Sequence, residues 1–415
     1  MSWTSRCGRS TSSSRLLVFR LGLSAADQAA YYAALQTSHP IRVSVSILDR
    51  NEKHEGSLSF PMSQVLGGQV DVDGKAEVTR SVSLTALDPN RVLQFDSSKI
   101  ADGAVYADSM LAVSYDVWVA SIGRWVECPV FRGPLSRFDR NGAEITLEAM
   151  GKESLALAPH FSVNAYTIKA GTWRGNAIRE IMGRKGEQRF RLQAPGKKLA
   201  RSISLVPNSE PWRAITGGAG FGKGIHGGAN HVFYDGDGYL VLRRLVDSPV
   251  WVLSDEWLLD EPKTSFDMSA VRNWIRVLGA PPKGARRAPQ ATVQLVPADP
   301  LSPQSLGRNG KPRYLAEFVE DEQVTSIREA VDVGERLLRQ RRKQAVSVQV
   351  EALPLPFLEP GDVLRLDDGL SFELNQFTIP LVHSSSMSLG FTKRVSVARS
   401  KRKIKVRRNR VKVKK

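Results

Sequence analysis

The chain has 415 residues, and its 59 Lys and Arg against 42 Asp and Glu give a formal net charge of +17. Its hydrophobic content of 41% is typical of a folded protein of about two to four domains, and it excludes wholesale disorder. No apolar run reaches the ~18 residues of a membrane span, and two cysteines are too few for a disulfide scaffold.

Residues 1–39 are predicted to be an N-terminal arm followed by a short helix. The segment 1–22 is rich in Ser and Arg, and the first acid is Asp27. We interpret this segment as an arm, with an organelle transit peptide as the alternative that its composition leaves open. Ser24 as N-cap, with Asp27 three residues later, predicts a helix to about Leu35.

A first β domain is predicted over residues 40–152. Val43, Val45 and Ile47 alternate with polar residues, which is the period of a half-buried strand. Similar stretches follow between turn residues, so the pattern predicts an antiparallel barrel or sandwich. The clearest of them are at 111–119, 124–131 and 143–149.

Residues 153–263 are predicted to be a mixed α/β middle region. Helical spacing over 173–181 follows Thr172 as a candidate cap, and a short helix over 210–215 follows Ser209 as another. The turn 235–238 between Phe233-Tyr234 and Tyr239-Leu240 predicts a hairpin.

A second β domain with a packed helix is predicted over residues 264–398. The capping box 326–329 begins a helix that runs to about Lys343, and we expect its apolar stripe to dock on the barrel strands. The turn Pro360-Gly361-Asp362 enters the barrel. The predicted fold is therefore mainly β (α+β), with two antiparallel β-barrel-like domains flanking the mixed middle region. The stripe contains Ile327, Ala330, Val331, Gly334, Leu337 and Leu338.

Two stretches imitate chemical motifs, and each fails at a named position. Gly217 to Lys223 has the glycines and lysine of a phosphate-binding loop, but Gly224 stands where Ser or Thr must bind magnesium. The sequence 235–238 is similar to a calcium loop, but Val246 stands where the bidentate Glu belongs. The six histidines show no zinc spacing. We therefore predict no catalytic residue, no cofactor and no metal site, and expect no enzyme activity.

The segment 399–415 is predicted to be a basic C-terminal arm that contacts a partner protein or nucleic acid. Residues 401–415 contain ten Lys or Arg and no acid, which is more than half of the chain's net charge of +17. Three interpretations stay open: an arm ordered by a partner, a strand added to a sheet edge, and a direct nucleic-acid contact. The candidate contact residues are Lys401, Arg402, Lys403, Lys405, Arg407, Arg408, Arg410, Lys412, Lys414 and Lys415.

The order of pieces over about 40–396 resembles the tail-hub (baseplate hub, minor tail) proteins of long-tailed bacteriophages. In that family the last domain has a strand that ends in glycine, as in 273–279, then a Ser-Pro loop, as at Ser302-Pro303. A helix, a strand and a Pro-Gly-Asp turn follow, as at 360–362, before an Ile-Pro-Leu step at 379–381. The pattern is most similar to hub proteins of phages that infect high-GC Gram-positive bacteria.

The resemblance implies a structural homotrimer in the virion, at the phage tail tip, after assembly in the host cytoplasm. Two barrels per subunit would adapt the sixfold tail tube to a threefold tip. The expected partners are the distal tail or tail-tube protein, the tape-measure protein, other tail-tip or fibre proteins, and DNA that passes through the lumen without sequence specificity.

Two other classes of protein remain alternatives. Charge alone favours a nucleic-acid-binding protein that acts through its C-terminal arm. A tail-associated cell-wall hydrolase is the other, although no zinc or Cys/His constellation supports it.

Overall fold

The computed structural model describes residues 21–393, except 38, 62–63, 96–103, 107, 158–164, 194–196, 218–223, 227–229, 245–247, 282–286, 344–345, 367–368 and 383–384. The described helices are α1 (Ala25–Leu35), α2 (Ser154–Leu157), α3 (Arg174–Gly183), α4 (Pro211–Thr216) and α5 (Ile327–Lys343), with 3-10 turns at Asp255–Trp257 and Met268–Ala270. The described strands of the first third are β1 (Ile41–Leu48), β2 (His54–Pro61), β3 (Val65–Asp73), β4 (Arg80–Leu87), β5 (Gln94–Phe95), β6 (Ala104–Val105), β7 (Met110–Val119), β8 (Arg124–Asn141) and β9 (Glu144–Met150). The middle strands are β10 (Tyr166–Ile168), β11 (Phe190–Leu192), β12 (Ile203–Leu205), β13 (Asn230–Tyr234), β14 (Leu240–Arg244), β15 (Trp251–Leu253) and β16 (Lys263–Phe266). The last are β17 (Trp274–Gly279), β18 (Gln290–Gln294), β19 (Ala316–Asp321), β20 (Val346–Ala352), β21 (Val363–Leu366), β22 (Ser371–Pro380) and β23 (Met387–Lys393).

One 13-stranded sheet contains strands from both ends of the chain, in the order β16-β20-β23-β22-β3-β4-β9-β8-β7-β1-β2, with β21 and β15 attached at β22. The mainly β class is confirmed. The prediction of two barrels is not confirmed, because no barrel closes among the described strands. Instead β3 pairs antiparallel with β22, where Val72 lies opposite Phe377 and Val70 opposite Ile379. Each strand thereby covers an edge that its own half of the sheet would leave unpaired.

Strand β8 turns the sheet, because its first part pairs with β7 and its second part with β9. Gly133 lies at the change of partner. A Cβ at this position would lie 2.0 Å from the carbonyl oxygen of Met150, so only glycine allows the backbones to approach this closely.

A single hydrophobic core lies along both halves of this sheet. Buried Val45 and Leu84 from the first half share one cluster with Phe377 and Leu389 from the last. Helix α1 joins the same core through Tyr31, whose side chain is fully buried. Ser24 caps α1 as predicted, its Oγ accepting the N–H of Asp27 at 3.1 Å.

The middle region has its own core, in which α3 and α4 pack with the β13–β14 hairpin. The predicted hairpin is confirmed, with Tyr234 opposite Leu240. The predicted caps are wrong: α3 begins after Trp173 and α4 after Glu210, and neither side chain caps its helix. Pro211 at the first position removes one N–H that would need a cap.

A third core lies between α5 and the small sheet β18-β17-β19. The prediction for this helix needs two corrections. Its buried residues Ala330, Val333 and Leu338 share a core with Val277 of β17 and Val293 of β18. The helix therefore docks on the small sheet that precedes it in the chain. Ile327, predicted in the stripe, is 58% exposed. Strand β19, which pairs parallel to β17, was not predicted.

No helix in the described part of the chain is long and apolar enough to cross a membrane. The domain boundaries at 152, 263 and 398 remain predictions. Residues 1–20 of the predicted N-terminal arm (1–22) and the whole C-terminal arm 399–415 lie outside the described residues.

Candidate functional site

The ten predicted contact residues between Lys401 and Lys415 lie outside the described residues, and so does most of the glycine loop 217–224. The largest polar cluster in the described part is a different one, which we call the charged junction. It lies where the β13–β14 hairpin meets the large sheet. Its members are Glu52, Arg80, Arg132, Lys152, Glu187, Arg189, Arg191, Asp235, Asp237, Arg243, Glu359 and Asp362.

Two glycines let the hairpin turn enter the junction. A Cβ at Gly236 would lie 2.3 Å from the carbonyl oxygen of Pro129 on β8. At Gly238, whose φ is +75°, it would lie 2.6 Å from Cδ of Arg132. The turn therefore needs glycine at both positions to lie against β8.

Arg80 and Glu359 form the ion pair at the centre of the junction, and their side chains are only 2% and 5% exposed. Arg80 also donates to the carbonyl oxygens of Tyr234 (3.2 Å) and Val130 (2.9 Å). Glu359 accepts the N–H of Gly236 at 3.0 Å. One buried pair thus connects β4, β8, the hairpin and the segment before β21.

The turn Pro360-Gly361-Asp362 is the second connection. The Asp362 carboxylate accepts from the N–H of Glu359 at 2.8 Å and from Nη1 of Arg243 at 2.9 Å. Arg243 also donates to the Pro360 carbonyl at 2.6 Å. The Pro-Gly-Asp motif therefore fixes the hairpin to the second half of the sheet.

Lys152 joins the hairpin to the first half of the sheet. Its ammonium group lies 2.6 Å from Glu187, pairs with Glu52, and donates to the Gly238 carbonyl at 3.2 Å. Glu52 also pairs with Arg132 at 3.1 Å. Burial alone raises the pKa of Glu52, but Lys152 and Arg132 bring the pKa below its ordinary value.

The turn that is similar to a calcium loop binds guanidinium groups. Asp235 pairs with Arg191 at 2.6 Å, and Asp237 pairs with Arg189 at 2.9 Å. Asp235 Oδ1 also accepts the N–H groups of Asp237 and Tyr239 at 3.1 and 2.9 Å, which closes the turn. Within the described residues no group of three or more His, Cys, Asp or Glu could hold a metal.

Glu153 is the one fully buried carboxyl beside the junction. Its Oε1 accepts long hydrogen bonds from the N–H groups of Thr79 (3.3 Å) and Tyr234 (3.4 Å), while Oε2 has no hydrogen-bond partner. Burial raises the pKa of Glu153, because an ionised carboxylate without a cation is unfavourable in a low dielectric.

In the junction proper, carboxylates are matched with cations and held by backbone groups. Such an arrangement positions segments, because groups that are paired and buried are poorly placed to react with a substrate. The turns 235–238 and 360–362 were predicted from the sequence, but no pattern indicated a role for Arg80, Lys152 or Glu359. The Arg-x-Arg at 189–191 pairs with the Asp-x-Asp at 235–237. This complementary spacing could have indicated from the sequence that the segment 189–191 contacts the hairpin turn.

No protein-family model matches the chain, and no curated protein matches it in sequence. Solved structures with a similar fold include two tail proteins. The 43 kDa tail protein of prophage MuSo2 from Shewanella oneidensis has a TM-score of 0.55 at 10% identity, over 85% of this chain and 98% of that one. The tail protein from Neisseria meningitidis MC58 has a TM-score of 0.56 at 13% identity, over 85% and 97%. At these identities the likeness shows the fold alone.

Proposed function

We propose that the chain is a structural hub subunit of the tail tip of a long-tailed bacteriophage. The observation that carries this proposal is the fold, which this chain shares with two tail proteins over 97–98% of their lengths. The match covers nearly the whole of both tail proteins and 85% of this chain. Such coverage supports a common architecture better than the match of a single domain would.

The charged junction supports a mechanical role. It connects the middle region to both halves of the sheet through ion pairs such as Arg80–Glu359 and Arg243–Asp362. A buried pair that loses one partner leaves an uncompensated charge, so relative movement of these segments is costly. The chain would act as a rigid part and not as an enzyme.

The finer proposal is a homotrimer. Each subunit would contribute two barrel-like halves, one formed by β1–β4 with β7–β9 and the other by β15–β16 with β20–β23. Three subunits would therefore form a ring of six such halves. The ring would adapt the tail tube or distal tail protein to a threefold tip with fibre proteins, and its lumen would pass the tape-measure protein and DNA. The chain would reside in the virion after assembly in the host cytoplasm, and a high-GC Gram-positive host stays a prediction.

Two measurements test this function. In solution, the mass of the purified protein should be three times the 45.8 kDa of one chain. A purified tail should contain three copies of the chain. Electron microscopy of phage particles that carry a tagged chain should place the tag at the tail tip. Particles that lack the chain, or a tag along the tube or on the capsid, would overturn the proposal.

The ten cations of 401–415 favour nucleic-acid binding as a second candidate function. Duplex binding across a salt series, with the full chain and with a chain that ends at Arg399, separates the two. Tight, steeply salt-dependent binding that truncation abolishes would support this second function. Lysis zones on host cell walls in a zymogram would instead favour a hydrolase.

A further inference from the structure

Strand β16 is an open edge of the large sheet. It pairs with β20 and lies at the end of the strand order, with no other partner among the described strands. All four residues of β16 are exposed, including Phe266 at 53%. An edge of this kind presents unpaired N–H and C=O groups to any strand that can reach it.

The surroundings of β16 are acidic. Residues 255–267 contain five acids against the single cation Lys263, and all five acids are exposed. The edge at the far end of the strand order, β2, differs, since the thirteen residues 49–61 hold three acids and two cations and one of those acids, Glu52, is largely buried in the charged junction. A third edge, β15, pairs only with β21 among the described strands and has just three residues. Charge therefore distinguishes the β16 edge from the β2 edge as a place for a basic strand.

The last described strand ends close to this edge. Thr392 of β23 lies opposite Ser347 of β20, which lies opposite Ser265 of β16. The three residues form one row, so the end of β23 is about 10 Å from β16, two strand spacings. The seven residues 394–400 can span up to about 25 Å, which is enough to bring Lys401 to the open side of β16.

Direction and pattern also agree. Strands β16 and β23 both pair antiparallel with β20, so they run the same way, and a chain that turns back beside β16 runs antiparallel to it. Ile404 and Val406 alternate with Lys403 and Lys405, as a strand with one apolar face requires. The cations from Arg407 onward would then arrive at the acidic residues 255–261, which precede β16.

We propose that the segment 401–415 adds to β16 of its own chain as an antiparallel strand, held by backbone hydrogen bonds and by the acids that flank the edge. The segment would cover an edge that otherwise invites pairing between copies. This inference does not depend on the role in a phage tail.

Cysteine cross-linking of the full chain tests this placement. In a Cys7→Ser background, Val406→Cys is combined with Thr264→Cys or with Ser265→Cys, because neighbouring strand residues face opposite sides. The matched control joins Val406→Cys with Ser57→Cys on the β2 edge. We expect a disulfide within one chain for one of the β16 pairs, its loss in 1 M salt or with Glu256→Lys and Glu261→Lys, and none for the control.

Equal cross-linking at both edges, cross-links between chains only, or none at either edge would overturn the proposal. Hydrogen exchange gives a second measurement that needs no cysteine. Amides of residues 263–266 should lose protection in a chain that ends at Arg399, and unchanged protection there would equally count against it.

Discussion

The Arg80–Glu359 pair makes the sharpest prediction about stability. Replacing Arg80 by Met leaves Glu359 buried without its cation, which costs about 3–5 kcal/mol. It also removes the donor to the carbonyl oxygens of Tyr234 and Val130. The two orphaned acceptors place the expected loss at the upper end of that range.

A double-mutant cycle separates the pair from its neighbours. Glu359→Gln in the Arg80→Met background removes the uncompensated charge, so the double variant should be less destabilised than the sum of the single variants by about 1–3 kcal/mol. The matched control is Arg137→Met. Arg137 is 59% exposed and pairs with Asp139 at 2.5 Å, and its loss should cost at most about 1 kcal/mol.

The assay is denaturant unfolding with the single, double and control variants compared under the same conditions. Hydrogen exchange at Tyr234 and Gly236 adds a local probe, because a chain with three cores need not unfold in one step. Additive single-variant effects, or an Arg80→Met variant as stable as Arg137→Met, would refute the reasoning.

Further predictions concern single side chains. Because the pKa of Glu153 is raised in the folded state, its contribution to stability is present at low pH and is lost as the pH rises through the folded pKa. Glu153→Gln should flatten the dependence of unfolding free energy on pH above the ordinary carboxyl range, and an unchanged slope would contradict this. Leu338→Ala should cost about 2–5 kcal/mol in thermal or denaturant unfolding, whereas Ile327→Ala, at 58% exposed, should cost at most about 0.5 kcal/mol. Gly334→Leu should destabilise by about 1–3 kcal/mol, because a Cβ there would lie 2.6 Å from Val293 Cγ2; an unchanged or higher midpoint would count against this packing.

Local patterns predicted part of the local structure of this chain, although not the caps of α3 and α4. The alternation at Val43, Val45 and Ile47 matches three buried positions of β1, and Ser24 caps α1. One half of the predicted capping box before α5 also forms, since Ser326 Oγ accepts the N–H of Glu329 at 3.2 Å, whereas the Glu329 carboxylate accepts from the N–H of Thr325 at 3.1 Å. These features depend on neighbours within a few residues, which the sequence displays directly.

Pairings between distant segments were beyond local patterns. The β3–β22 ladder joins Val72 to Phe377, and nothing near either residue indicates the other. Arg80 was missed although the alternation of β4 places it on the same buried face as Val82 and Leu84, because an arginine is rarely buried without partners and its partners are distant in sequence. Its acceptors come from β8, from the hairpin and from Glu359, three separate parts of the chain.

The β3–β22 ladder also determines when the chain can fold. The strand at 65–73 has its partner at 371–380, so this edge of the sheet remains unpaired until nearly the whole chain has been synthesised. Contacts of such sequence separation slow folding and leave an apolar strand available for incorrect pairing in the meantime. The continuity that gives one stiff sheet thus makes the nascent chain prone to aggregation, and we expect soluble expression to fall sharply when the chain is truncated before β22.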